Sequence, residues 1–158
     1  MHFSDILKPK TEAKAMDPGQ RILLQQVWKA LEHASIPPDS LKGSNTGFFV
    51  GMSQNDYGSL QINGHPDDIT AYSGTGNGHS FAAGRIAYQF GFHGPTFTSD
   101  TACSSSLVAL YNAVNAIRKK ESSVAIASGV HLNLTPPMQV FCSRTQSFSP
   151  DGRCFTFD

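Results

Sequence analysis

The chain has 158 residues, 39% of them hydrophobic and 15% charged, with 12 Lys and Arg balanced by 12 Asp and Glu. That composition suits one globular domain and excludes a disordered tail. The zero formal net charge gives no electrostatic pull toward nucleic acid or an anionic membrane, and it leaves little repulsion between copies.

The first strong signal lies at 16–38, "MDPGQRILLQQVWKALEHASIPP". Asp17 is a candidate N-cap and Pro18 suits the first helical position. Leu24, Val27, Trp28 and Leu31 recur at helical spacing, so a helix is expected over 18–34. "TGFFVGM" (46–52) reads as a buried strand bounded by glycines. Residues 53–78 are rich in Gly, Asn, Asp and Ser and read as a long connection. A helix is expected over 80–90, with Phe81, Ala82, Ile86 and Phe90 on one face, and a strand near 96–99. Another helix follows at 104–119, with an apolar stripe of Leu107, Leu110, Val114 and Ile117. "SVAIASG" (123–129) reads as a further buried strand, and the tail "LTPPMQVFCSRTQSFSPDGRCFTFD" as loop-rich. Strands alternating with helices indicate an α/β layered domain with a largely parallel sheet.

The three cysteines, Cys103, Cys142 and Cys154, show no CxxC and no zinc-spaced Cys/His pair. No metal site and no disulfide framework are expected, and a reducing cytoplasmic setting is. "MHFSDILKPK" holds no long apolar segment, and no run approaches the roughly 20 residues that span a bilayer. Neither a signal peptide nor a membrane partner is expected, and Asn133-Leu134-Thr135 reads as a chance glycosylation sequon.

Cys103 falls between the strand near 96–99 and the helix at 104–119. A sharp strand-to-helix turn lifts a side chain out of the sheet, as nucleophile elbows do. Free N–H groups at the helix start favour a thiolate and can later hold an oxyanion. Ala102, Ser104 and Ser105 leave room for a substrate. The competing reading is a small buried hydrophobe, which suits Cys142 and Cys154 better because neither has such a junction.

"DTACSSSLVAL" (100–110) resembles the active-site segment of β-ketoacyl synthases, above all the ketosynthase domains of polyketide synthases and the related animal fatty acid synthases. The resemblance extends over 15–158: "AMDPGQRILLQQVWKALEHASIPPDSLKGSNTGFFVGM", "NDYG" (55–58), "GTGNGHSFAAGRIAYQFGFHGPTFTSDTACSSS" and "ASGVHLNLTPPMQVFCSRTQSFSPDGRCFTFD" follow in family order. It implies a thiolase-like layered fold and a decarboxylative Claisen condensation. In that reaction Cys103 accepts an acyl group from a phosphopantetheine thioester, and its backbone N–H forms part of the oxyanion hole. A malonyl-type extender on acyl carrier protein then loses carbon dioxide, and its carbanion attacks the acyl-cysteine. The chain itself is expected to bind no cofactor.

The family also uses two histidines, in HGTGT-like and NIGH-like motifs, with a lysine between them, and a first strand of "IAIVG" type. None of these is found in the sequence. The expectation is therefore a partial β-ketoacyl synthase N-terminal domain over 1–158, an incomplete half of the fold that lacks the first strand and the C-terminal half. Such a chain would carry the nucleophile of an acyltransferase without completing a condensation alone. Its expected partners are acyl carrier protein and either a second copy, paired through the strand near 96–99, or the missing half. Phe141, Phe148 and Arg153 are weaker substrate-binding candidates, and Phe157-Asp158 would lead onward into the family fold. His131 follows a strand end and can approach Cys103, although a surface role is the plainer reading; His79 and His93 lie outside the catalytic motifs.

Three alternatives stand beside this. The first is a non-catalytic dimerisation or scaffold fragment of a ketosynthase. The second is an unrelated cysteine hydrolase with a Cys–His pair. The third is nucleotide binding through "GTGNG" (74–78), which lacks the preceding strand that a dinucleotide loop needs.

Overall fold

The computed structural model of the chain describes residues 10–62 and 65–156, so the first nine residues and Phe157-Asp158 lie outside the described part. The elements in chain order are α1 (Lys10–Ala15), α2 (Pro18–His33), β1 (Thr46–Gly51), α3 (Asp56–Ile62), α4 (Ser73–Asn77), α5 (His79–Phe90), β2 (Thr96–Ser99), α6 (Ser105–Arg118), β3 (Val124–Gly129) and α7 (Pro137–Arg144). Short 3-10 turns precede β1, α4 and α6.

The start of α2 is chemically determined. Pro18 stands at its first position, and the Asp17 carboxylate accepts the Gly19 N–H at 2.6 Å. Burial pushes the Asp17 carboxyl above its usual range, against the pull of the Gly19 N–H, His79 and Arg21.

Among the described residues three strands, all parallel, form a sheet in the order β2-β1-β3, with β1 in the centre. Every residue of β1 is buried, as a central strand covered on both faces requires. Alternation along β1 sends Phe48 and Val50 into a core with Leu23, Leu24, Val27 and Leu31 of α2 and Ile86 and Phe90 of α5. Phe49 points to the other face, where it meets Ala109, Ala113 and Ala116 of α6. The sheet is thus the middle of three layers. β3 is only half-buried, unlike the buried strand expected at 123–129, because it lies at the sheet edge.

Two further expectations need correction, and a third gains detail. Residues 53–78 are not one long connection, since α3 and α4 form within them. The loop-rich last stretch also holds one helix, α7, which Pro137 opens. Most instructive is α6: Leu107, Leu110, Val114 and Ile117 face outward, and the buried stripe is Ser105, Ala109, Ala113 and Ala116.

The reason is the distance between α6 and the sheet. A Cβ on Gly51 would lie 2.4 Å from the Ser105 carbonyl carbon and 2.5 Å from the Ser106 nitrogen. A Cβ on Gly129 would lie 2.8 Å from Ser106 Cβ. With the backbones this close, only small residues fit between them, and bulk is forced to the other side of the helix. Gly51→Ala should therefore destabilise the fold by about 2 kcal/mol through overpacking against main chain that cannot yield. Urea unfolding checks this, with a lower midpoint expected at unchanged slope.

Candidate active site

The C-terminal ends of β1, β2 and β3 all point to the first turn of α6, the place where open parallel sheets build their sites. After β2 the chain turns through a 3-10 segment, Ala102–Ser104, before α6 begins. Ala102 holds φ +54°, a left-handed conformation rare for a residue with a Cβ. The strain is held by a local hydrogen-bond network, which gives the serines behind Cys103 their purpose. Ser105 Oγ accepts the Thr101 N–H at 2.9 Å and donates to the Ala102 carbonyl at 2.7 Å. Ser104 Oγ donates to the Thr101 carbonyl at 2.8 Å and lies 2.8 Å from Thr101 Oγ1. The Ala102 N–H is taken by Asp100 Oδ1 and the Ser104 N–H by the Thr101 carbonyl, one on each side of Cys103.

Cys103 is exposed at the crest of this turn and lines a cleft of about 920 Å³. The cleft runs from Met52 and Gln54 past Ser106 to His131 and Asn133, and its far wall is α7 with the segment behind it. That wall contributes Met138, Phe141, Cys142 and Phe148, so the lining is largely apolar beside the thiol. Its volume falls in the range of pockets that hold small molecules.

The structure brings Cys103, Phe141 and Phe148 to one cleft. Arg153 does not line it, and its N–H donates to Ser149 Oγ in an exposed turn. Cys142, read from sequence as a small buried hydrophobe, is half-buried in the cleft wall with its Sγ 3.8 Å from Met138 Sδ. Cys154 is exposed, and the Thr156 hydroxyl and N–H hold its thiol below the ordinary range. His131 lines the cleft and shares a 2.8 Å hydrogen bond with Asn133 Oδ1. His79 and His93 do not line it. Met138 and Cys142 were reachable from sequence only by reading Pro136-Pro137 as a helix start rather than a turn.

The "GTGNG" segment is no phosphate loop. It follows no strand and forms α4, where a Cβ on Gly76 would lie 2.3 Å from the Ala15 carbonyl oxygen. Its Gly76 carbonyl accepts from Asp17 N–H and from Gln20 Nε2, so the glycine permits close packing on α1 and α2. Among the described residues no group of three or more His, Cys, Asp or Glu is placed to hold a metal ion, and no helix is long and apolar enough to cross a membrane.

Comparison with known proteins agrees with this architecture. The family profile "Beta-ketoacyl synthase, N-terminal domain" matches residues 6–158, and the chain belongs to that family. A phenolphthiocerol/phthiocerol polyketide synthase protein of Mycobacterium tuberculosis is 50% identical over 147 residues, which are 93% of this chain and 10% of that protein. Another protein of the phenolphthiocerol/phthiocerol polyketide synthase, from Mycobacterium bovis, is 51% identical over 147 residues, 93% of this chain and 8% of that protein. Among solved structures, the ketosynthase from module 6 of the bacillaene synthase of Bacillus subtilis 168 superposes with a TM-score of 0.83 at 36% identity, covering 96% of this chain and 25% of that one. An oxazolomycin ketosynthase domain from Streptomyces albus JA3453 gives 0.80 at 34% identity, covering 96% of this chain and 27% of that one. The fold is thiolase-like, and the chain spans about a tenth of these curated relatives and about a quarter of these solved ketosynthases.

Ser105 is the residue on which the turn rests. Removing its buried hydroxyl leaves the Thr101 N–H without its partner, while the Ala102 carbonyl keeps the Ser105 N–H, a loss of about 1.5 kcal/mol. Ser105→Ala should lower the thermal midpoint accordingly, whereas Ser104→Ala, at an exposed position, should cost less than about 0.5 kcal/mol and leave the midpoint nearly unchanged.

Proposed function

We propose that this chain supplies the acyl-accepting cysteine of a ketosynthase of polyketide type. The observation that carries the reading is the exposed Cys103 thiol, set on a strained strand-to-helix turn inside a largely apolar cleft. In the proposed step Cys103 Sγ attacks the carbonyl carbon of an acyl thioester carried on phosphopantetheine. A new S–C bond forms, the carbonyl oxygen takes up negative charge, and the Cys103 N–H at the helix start stabilises it. The C–S bond to pantetheine then breaks, and the proton lost from Cys103 ends on the departing thiol. Phe141, Phe148 and Met138 provide an apolar wall for the acyl chain.

Condensation requires a second stage, in which a malonyl-type extender on acyl carrier protein loses carbon dioxide and its carbanion attacks the acyl-cysteine. The two family histidines and the lysine that assist this are not in the sequence. In this reading they come from further ketosynthase sequence packed on the chain, and acyl transfer is what the chain performs by itself. Two surfaces favour such assembly. The outward face of α6 exposes Leu107, Leu110 and Tyr111. Among the described residues β2 lies at a sheet edge, with no strand on its outer side, where a second copy can pair. A purely structural role, as a dimerisation piece without chemistry, uses the same two surfaces but gives no account of the cleft around Cys103.

Intact-mass measurement after incubation with a short acyl-pantetheine thioester tests the reading. One acyl group on the parent chain and none on Cys103→Ala is the expected result. Peptide mapping assigns the label among Cys103, Cys142 and Cys154. A folded parent chain that takes no acyl group would overturn the acyl-transfer reading and leave the structural one.

A further inference from the structure

The "NDYG" segment (55–58) lies outside the turn that carries Cys103, yet each of its first three side chains reaches a distant part of the chain. Asn55 caps α3 by accepting the Gly58 N–H at 3.0 Å, and its Nδ2 donates to the Asn77 carbonyl at 2.8 Å. Tyr57 donates its hydroxyl to the Lys14 carbonyl at 2.6 Å. Asp56 reaches farthest. Its Oδ2 accepts the N–H groups of Leu134 and Thr135, both at 3.0 Å, from residues 78 and 79 positions along the chain.

Those two N–H groups belong to the loop between β3 and α7, which has no secondary structure of its own to fix it. The same loop carries Val130, His131 and Asn133, all on the wall of the cleft that Cys103 lines. A single carboxylate oxygen accepting two backbone donors at once fixes the direction of that loop, and such charge-assisted bonds are among the stronger ones. We propose that Asp56 is a positioning residue for the cleft: its carboxylate clamps the loop over residues 130–135 in the shape that puts His131 and Asn133 on the wall beside Cys103.

Two further observations agree. Burial of Asp56 disfavours its ionised form, but the Leu134 and Thr135 N–H groups, the Thr135 hydroxyl and His131 outweigh that and hold the carboxyl below its usual range. The clamp is therefore charged at neutral pH. Behind the loop, Asp17, Asp56, His131 and Leu134 enclose a pocket of only about 10 Å³, so the loop sits against α2 and α3 with room for about one water.

What the cleft binds rests on the acyl-accepting reading of Cys103, but the clamp can be tested apart from it. Two readouts on the whole chain serve. The first is amide hydrogen exchange at Leu134 and Thr135, with the β1 amides of Phe48–Val50 as the internal reference. The second is the rate at which Cys103 is captured by a pantetheine-linked chloroacetamide, divided by its rate with iodoacetamide, which is too small to sense the wall. In Asp56→Ala the two loop amides should exchange about tenfold faster while the β1 amides stay protected. The capture ratio should fall several-fold. Asp56→Asn keeps an acceptor oxygen and should retain most of both. If Asp56→Ala also frees the β1 amides, Thr135→Pro, which removes one donor from the loop side, takes its place, read at the Leu134 amide and at the capture ratio with the same expectations. Protected loop amides in the Ala variant would overturn the proposal, and so would freed amides with an unchanged capture ratio. A parent chain that takes no acyl group from a thioester overturns only the acyl-transfer reading, since neither readout here requires that transfer.

Discussion

The structure depends on how closely α6 lies against the sheet. At the C-terminal ends of β1 and β3, Gly51 and Gly129 bring main chain against the first turn of the helix, where no Cβ fits. Farther along, Ala109, Ala113 and Ala116 continue the contact over Phe49. Dispersion attraction falls steeply with separation, so a close seat of small residues holds a helix as firmly as a looser one of large residues. It also fixes the helix with little rotational freedom. The direction of the first turn of α6, and with it the position of Cys103, is set by this seat.

Two consequences reach toward function. The strand-to-helix turn has little length in which to reverse, so Ala102 takes a left-handed conformation and Ser105 bonds back to both sides of it. Cys103 is left exposed at the crest, at the mouth of a cleft whose other walls come from the β3–α7 loop and from α7. The second consequence is the opposite face of α6. Because the small residues are turned inward, Leu107 and Tyr111 are 70% and 66% exposed, an apolar surface that a lone domain rarely shows. The chain belongs to the β-ketoacyl synthase family and spans about a quarter of the solved ketosynthases it matches, so an uncovered face on its central helix is consistent with a piece of a larger fold.

Much of this is legible in the sequence, and the failures have a common cause. Asp17-Pro18 and the following period give α2 because capping and burial are both local signals. Cys103 falls correctly between strand and helix for the same reason. The orientation of α6 is misread because hydrophobic periodicity weighs bulk, and the stripe Leu107, Leu110, Val114 and Ile117 outweighs the alanines that make the contact. Nothing in a helix's own sequence says how near its neighbour will come; here that information sits in Gly51 and Gly129, in other elements. The cleft wall escapes sequence reasoning in the same way. Asp56 lies 78 residues from Leu134, and only the fold brings them together. The α7 helix, like α3 and α4, is a local signal overlooked, since Pro136-Pro137 reads as a turn as readily as a helix start.

The claim that the helix seat controls the thiol is tested most directly by overpacking the seat at a distance from the chemistry. Ala109 is fully buried and about 6 Å along α6 from its first residue, Ser105, at about 1.5 Å per residue. The measurement is the rate of Cys103 acylation by an acyl-pantetheine thioester in Ala109→Val, under conditions where circular dichroism matches the parent. The account predicts a rate lower by about tenfold, because a shift of about 1 Å in the helix start misplaces the thiol in its cleft. An unchanged rate in a folded, destabilised variant would contradict it: the turn at Thr101–Ser105 would then hold Cys103 by itself, independent of how α6 sits on the sheet.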